Sequence, residues 1–141
     1  MVRALGIDLG SQRIGVALSD SAGTMATPYE VVQRSGDRVQ DHARLAALVE
    51  ETGAEVVVVG LPLSLDGSKG PAAIAAETEA EEMQPRLGVP VELWDERLST
   101  VEASRRLQSA GVSARRRRRT VDQLAATVIL QAWLDATRPR S

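Results

Sequence analysis

The sequence predicts an α/β domain: a mixed five-stranded sheet flanked by helices, in the order β-β-β-α-β-α-β-α-α. Three patterns lead there. Apolar and small residues fill Ala4-Leu5-Gly6-Ile7-Asp8-Leu9-Gly10, and alternation resumes in Ile14-Gly15-Val16-Ala17-Leu18-Ser19-Asp20, so the two stretches read as one hairpin. Glu55-Val56-Val57-Val58-Val59-Gly60 is a short β-branched run, too continuous for a one-sided strand. It suits a parallel strand covered on both faces. Helical periods with recognisable starts and stops separate these strands from one another and follow the last of them.

The elements follow in order. Residues 24–32 form a third strand, and Pro28, lacking an amide hydrogen, pushes it to an edge. Asp37 caps a helix over 38–51 that buries Leu45, Leu48 and Val49 and stops at Gly53. Turn formers fill 61–70, with Asp66-Gly67 marking a tight turn. Pro71 then opens an alanine-rich helix to about Leu87, and 89–93 is the fifth strand, ending at Trp94-Asp95-Glu96. Ser99 with Glu102 makes a capping box for a helix reaching about Ala110 and stopped by Gly111. Thr120 with Gln123 repeats that signature for a final helix, with Val121, Leu124, Ala125, Val128 and Ala132 as its buried stripe. No linker divides the chain, so residues 1–137 read as a single domain and 138–141 as a short tail.

Composition narrows the chemistry. The chain has 141 residues and no cysteine, which excludes disulfides, thiol catalysis and cysteine-bound zinc. There is no signal-peptide core and no apolar run near the roughly 20 residues that span a bilayer, so a cytoplasmic protein without membrane contact is expected. The net charge is −2, but its distribution is polar along the chain: residues 1–94 carry −7 and residues 95–141 carry +5. Such asymmetry suggests that one end of the fold meets a polyanion.

Asp8 is the residue that breaks the pattern. A carboxylate within an apolar central strand costs several kcal/mol unless a partner, hydrogen bonds or a metal compensates. Glu96, just past the fifth strand, and Asp122, in the last helix, are the acids that could share a site with it. Asp95 competes with Glu96, because neighbours on a strand point to opposite faces. Clustered carboxylates call for a hard divalent cation; magnesium, with manganese as substitute, fits all-oxygen ligands. Two such ions about 4 Å apart activate water and stabilise the leaving oxygen of a phosphodiester. The three acids are thus candidates for both metal binding and catalysis.

These motifs resemble those of the YqgF (RuvX) family. Asp8-Leu9-Gly10 with Arg13-Ile14-Gly15-Val16-Ala17 is similar to its opening motif, and Val59-Gly60-Leu61-Pro62-Leu63 with Asp66-Gly67 to its central strand and loop. Asp95-Glu96-Arg97-Leu98-Ser99-Thr100 matches its most distinctive hexapeptide, and Val121-Asp122 with Ala125-Ala126 its terminal helix. The resemblance implies a ribonuclease H-like fold and an activity as a Holliday junction resolvase or as a nuclease maturing the 16S ribosomal RNA precursor. It also implies Asp8, Glu96 and Asp122 as the metal-binding catalytic acids. Gln12 stands where the family often has a basic residue, and Ala125 where related junction resolvases carry a fourth acid.

Nucleic acid, as structured RNA or branched DNA, is the expected partner. Arg13 and Arg97, flanked by strands, and Arg115, Arg116, Arg117, Arg118 and Arg119, in the segment before Asp122, are the candidate phosphate contacts. Tyr29, Trp94 and Trp133 are the only aromatics, too few for sequence readout by stacking, so backbone shape and charge should dominate recognition. His42 reads as a surface or structural residue, and Glu77, Glu79, Glu81 and Glu82 as a solvated helix face. A monomer or a homodimer is compatible with these features. The rival class is a nucleic-acid-binding module without catalysis; a sugar kinase would need two such domains, more than 141 residues provide.

Overall fold

The computed structural model describes residues 2–98 and 114–137, with side chains described for 2–97 and 124–137. Strands β1 (Ala4–Leu9), β2 (Arg13–Ser19) and β3 (Ala26–Gln33) are followed by helix α1 (Arg38–Thr52), strand β4 (Val56–Leu61), helix α2 (Pro71–Leu87) and strand β5 (Val91–Asp95). A single 3-10 turn, Glu96–Leu98, and helix α3 (Ala114–Thr137) complete the described elements. The expected helix over 99–110 lies outside the described residues, as does the tail.

The sheet order is β3-β2-β1-β4-β5. β1 pairs antiparallel with β2 and parallel with β4, and β4 pairs parallel with β5. The valine run of β4 is buried throughout, as its two-sided apolarity demands. β3 takes the edge, where Pro28 costs no ladder hydrogen bond; it pairs with Ala17 beside a register shift.

Each face of the sheet has its own core. Leu5, Ile7, Val57 and Val59 point to α1 and α2, where Leu45, Leu48 and Met83 meet them. Ala4, Val56 and Val58 point the other way, to Ala126, Ile129, Leu130 and Leu134 of α3. The buried stripe of α3 therefore differs from the expected one: Val128 is shared, whereas Leu124, Ala125 and Ala132 are only half-buried. The helix is rotated so that its smallest surface, around Ala126, meets the sheet. Gln131 fastens the same helix to β3, accepting from the Ala26 amide at 2.9 Å and donating to the Thr24 carbonyl at 2.9 Å.

α3 also begins earlier than Thr120. Its backbone is helical from Ala114, so the five consecutive arginines lie within the helix and not in a loop before it. Arginine and alanine are strong helix formers, and nothing in Ala114 to Arg119 breaks the backbone pattern. Asp122 consequently sits in the helix interior, and not at the N-terminal end where the capping signature placed it.

The approach of α3 to the sheet is close. A Cβ on Gly6 would lie 2.6 Å from Leu130 Cβ and 2.7 Å from the Ala126 carbonyl oxygen. Both are tied to the helix backbone and cannot step aside. Gly6→Ala is therefore expected to destabilise the fold by about 1–3 kcal/mol or more, the cost of overpacking, read as a lower urea midpoint with an unchanged slope.

Candidate active site

The parallel strands β1, β4 and β5 deliver their C-terminal ends to one edge of the sheet. Asp8 is the fifth residue of β1 and alternates with Gly6, which places it on the α3 face. Its cross-strand partner on β2 is Gly15. On β4 the ladder runs through Ile7 and Val59, so Gly60 comes next beside Asp8. A glycine thus stands on either side of the acid, and the floor around it carries no flanking side chains.

Glu96 fills part of that floor. A Cβ built on Gly60 would fall 3.0 Å from Glu96 Cγ, 3.0 Å from Glu96 Oε2 and 2.5 Å from Ile129 Cδ1. The Glu96 carboxylate therefore lies directly over Gly60, one strand from Asp8, where strands are about 4.8 Å apart. Burial raises its carboxyl pKa above the ordinary value, and the charge of Asp95 adds to the shift. A carboxylate held this way is stabilised by an added cation.

Asp95 faces the other way. Trp94 before it packs into the α3-side core, so alternation sends Asp95 to the opposite face. There it accepts from Arg97, from Nε at 3.1 and 3.0 Å, from Nη2 at 2.6 Å and from the backbone amide at 2.9 Å. Those hydrogen bonds hold its carboxyl below the usual range. The adjacent acids thus divide: Glu96 shares the α3 face with Asp8, and Asp95 holds Arg97. Arg97 in turn donates from Nη1 to the Leu65 carbonyl at 3.4 Å and lies against Gly67, bracing the loop after β4.

Of the other expected site residues, Arg13 is half-buried at the start of β2, opposite Gln33. The backbone of α3 carries Asp122 one helical turn before Ala126, and Ala126 sits over Gly6 of β1. The side chains of Asp122, Arg115, Arg116, Arg117, Arg118 and Arg119 lie outside the described residues. Among the described residues, no group of three or more His, Cys, Asp or Glu side chains could hold a metal. The described pair suits a hard cation in donor type, all oxygen, and in the unfavourable ionisation of Glu96, which positive charge would relieve.

Beneath the site runs a network that sequence patterning did not anticipate. Gly10 closes the turn after Asp8, its amide donating to the Asp8 carbonyl at 3.1 Å. Arg34 Nε donates to the Gly10 carbonyl at 2.7 Å, while Nη1 and Nη2 grip Glu79 at 2.9 Å each. His42 Nε2 lies 2.8 Å from Glu79, and Arg86 Nη1 lies 2.8 Å from His42 Nδ1. A guanidinium has only donors, so Nδ1 accepts from Arg86 and Nε2 donates to Glu79. Glu79 is 6% exposed and His42 0%, which corrects the expectation of a solvated Glu79 and leaves His42 with a structural role and no surface one. Of the rest of that acidic stretch, Glu81 is exposed, whereas Glu77 and Glu82 are half-buried, Glu77 bonded to Lys69 and Glu82 paired with Arg38. The available signal was helical spacing: Glu79 lies on the face of α2 that also buries Ala76, Ala80 and Met83.

The fold is a mixed α/β sheet with two acids, Asp8 and Glu96, on its α3 face at the C-terminal ends of parallel strands. A solved structure with this architecture, titled T. thermophilus RuvC in complex with Holliday junction substrate, superposes with a TM-score of 0.56 at 18% identity, covering 96% of this chain and 95% of that one. The chain belongs to the RuvX family, described as Holliday junction resolvase, whose model matches residues 2–136. Relatives named "Putative pre-16S rRNA nuclease" come from Myxococcus xanthus, 51% identical over 138 residues (98% of this chain, 91% of the relative), and from Leifsonia xyli, 50% identical over 137 residues (97% and 88%). The protein is accordingly a nuclease, a hydrolase of nucleic-acid ester bonds. No helix among the described residues is long and apolar enough to cross a membrane.

Two substitutions test this geometry. Gly60→Ala meets only the far ends of flexible side chains, so the fold should survive with a small loss of stability while Glu96 is displaced and cleavage falls. Parallel urea titration and cleavage assays check that split. At Glu79, burial works to raise the carboxyl, but the hydrogen bonds from Arg34 and His42 outweigh it and lower its pKa. A depressed folded pKa contributes stability above the ordinary carboxylate range and loses it as pH falls through the folded value. Glu79→Gln is expected to cost about 3–5 kcal/mol near neutrality, as when one partner of a buried pair is removed, and to flatten the acid limb of a stability–pH profile.

Proposed function

We propose that the chain is a metal-dependent, structure-selective nuclease acting on the precursor of 16S ribosomal RNA, with Asp8, Glu96 and Asp122 as its metal-binding catalytic acids. The observation that supports this most is the seating of the Glu96 carboxylate over Gly60, one strand from Asp8. The substrate is taken from the relatives' shared name, and the chemistry from the acids of this chain. Magnesium is the natural occupant, with manganese as substitute, and two ions fit the reaction best. When bound, such ions lower the pKa of an attacking water and stabilise the leaving oxygen.

The protein's own contribution is placement. Asp8 is fixed by a central strand and by the Arg34-braced turn behind it, and Glu96 by the glycine it covers. Asp122, carried by α3 one turn before Ala126, completes the acid set in this reading. Arg13 and the arginines at 115, 116, 117, 118 and 119 neutralise backbone phosphates. Arg97, already engaged by Asp95, serves chiefly to position the loop after β4. One domain over residues 1–137 is sufficient for RNA trimming by a monomer. Cutting a four-way junction symmetrically would call for two sites, hence a homodimer.

The purified chain, supplied with magnesium or manganese, should be offered a structured precursor RNA and a four-way DNA junction side by side. Asp8→Asn and Glu96→Gln are expected to reduce cleavage by at least about hundredfold, while Asp95→Asn, which loosens only Arg97, loses much less. Cleavage that survives Asp8→Asn overturns the assignment. Preference for the junction, accompanied by a dimer on sizing, would favour the resolvase reading over the RNA one.

A further inference from the structure

Arg34 holds the turn between β1 and β2 by both of its limbs. Its Nε donates to the Gly10 carbonyl at 2.7 Å, and its backbone amide donates to the Gln12 carbonyl at 3.0 Å. The two limbs carry different functional groups. Asp8 stands two residues before Gly10, and the Gly10 amide donates to its carbonyl at 3.1 Å. Arg13 directly follows Gln12. It lies two residues before Gly15, the cross-strand partner of Asp8, and so shares the α3 face with that acid. Ladder support ends close by: β1 pairs with β4 only as far as Ile7–Val59, and with β2 as far as Leu9–Ile14. The turn itself is tightly wound, since a Cβ on Gly10 would lie 2.6 Å from the Arg13 carbonyl oxygen.

We propose that Arg34 is a positioning residue of the nuclease, setting the Asp8 carboxylate and the Arg13 side chain relative to each other through the turn between them. The proposal deepens the nuclease reading above and rests on it. Arg34 is itself fixed from three sides. Gln33 before it pairs with Arg13 in the β2–β3 ladder. Ser35 after it donates to Asp41 Oδ1 of α1, from its amide at 2.9 Å and from Oγ at 2.8 Å. Glu79 of α2 takes Nη1 and Nη2 at 2.9 Å each, so the planar guanidinium is locked with Nε toward Gly10. Glu79 is held in turn by His42, whose ring accepts from Arg86. Stability alone gives little reason for burying this pair, whose side chains are 16% and 7% exposed. Apolar side chains of similar volume in place of a buried ion pair are often neutral or stabilising. A fixed geometry for a carboxylate and a phosphate contact does give a reason, because a misplacement of about 1 Å at a reacting centre costs about hundredfold in rate.

The test compares the full chain with two variants of the clamp. Arg34→Lys keeps a charge against Glu79 but cannot bond Gly10 at the same time, and Glu79→Asp draws the guanidinium away from the turn. Leu48→Ala, in the apolar core beneath α1, supplies a loss of stability that leaves the turn untouched. In metal-free protein, the amide resonances of Asp8, Gly10 and Arg13 should move in both clamp variants and stay in place in Leu48→Ala. On a structured precursor RNA with manganese, Arg34→Lys should lower kcat about tenfold and Glu79→Asp about threefold, with KM rising about twofold. Leu48→Ala should lower the urea midpoint at least as far and keep both kinetic constants within about twofold. Unmoved resonances in the clamp variants, or moved resonances with kcat unchanged, overturn the proposal. So does a rate loss that Leu48→Ala shares, which would leave Arg34 a stabilising residue only. Because the resonances are read without metal or substrate, they decide on the turn independently; a wild-type chain that cleaves nothing overturns the nuclease reading instead.

Discussion

The close contact between α3 and two glycines of the central strands is the constraint on which the rest of the structure depends. Gly6 admits the helix backbone itself, with the Ala126 carbonyl where a Cβ would otherwise stand. Two positions along the neighbouring strand from Val58, Gly6's partner, Gly60 admits the Glu96 carboxylate and the tip of Ile129. A Cβ at Gly6 would push the helix off the sheet, whereas one at Gly60 would displace the Glu96 side chain. The same contact that closes the second core therefore also builds the floor of the site. The packing of α3 and the seating of Glu96 both depend here on the absence of a methyl group.

The two faces of the sheet handle charge in opposite ways. On the α1–α2 face, Arg34, Glu79, His42 and Arg86 satisfy one another almost completely, and the network ends on the carbonyl of the turn that carries Asp8. On the α3 face, the Glu96 carboxylate lies over Gly60, and burial, with the charge of Asp95, pushes its carboxyl pKa up. A fully paired network stiffens what it touches, whereas an acid that is costly to ionise is poised to gain from an incoming cation. The rigid side thus supports the reactive side from beneath, with Gly10 as the point of transfer.

Much of this was legible in the sequence because each signal was local. The valine run of β4, Pro28 at the edge, the Asp37 cap and Pro71 at the start of α2 all act within a few residues, and each stands as expected. Asp8 was legible as a violation of its own strand pattern. What escaped needed knowledge of partners distant in the chain. Glu79 looked like one member of an acidic stretch, and only Arg34, 45 residues away, makes its burial tolerable. The choice between Asp95 and Glu96 could not be made from alternation alone, because it depends on which face α3 covers. The start of α3 was misplaced for another reason: a capping signature at Thr120 is persuasive, but arginines before it propagate helix as readily as they would fill a loop.

The hexapeptide that begins at Asp95 can now be understood as a set of coupled assignments. Strand alternation at Trp94, Asp95 and Glu96 puts an apolar anchor and a carboxylate on the α3 side and the remaining acid on the other. Arg97 closes back on Asp95, on the face opposite Glu96. The same guanidinium holds the loop after β4 by the Leu65 carbonyl. Exchanging Asp95 and Glu96 would preserve composition and net charge yet undo all of this. The longer side chain would reach for Arg97, and the shorter would no longer cover Gly60. The order of these neighbouring acids, more than their presence, is what couples the position of the loop to that of the Glu96 carboxylate.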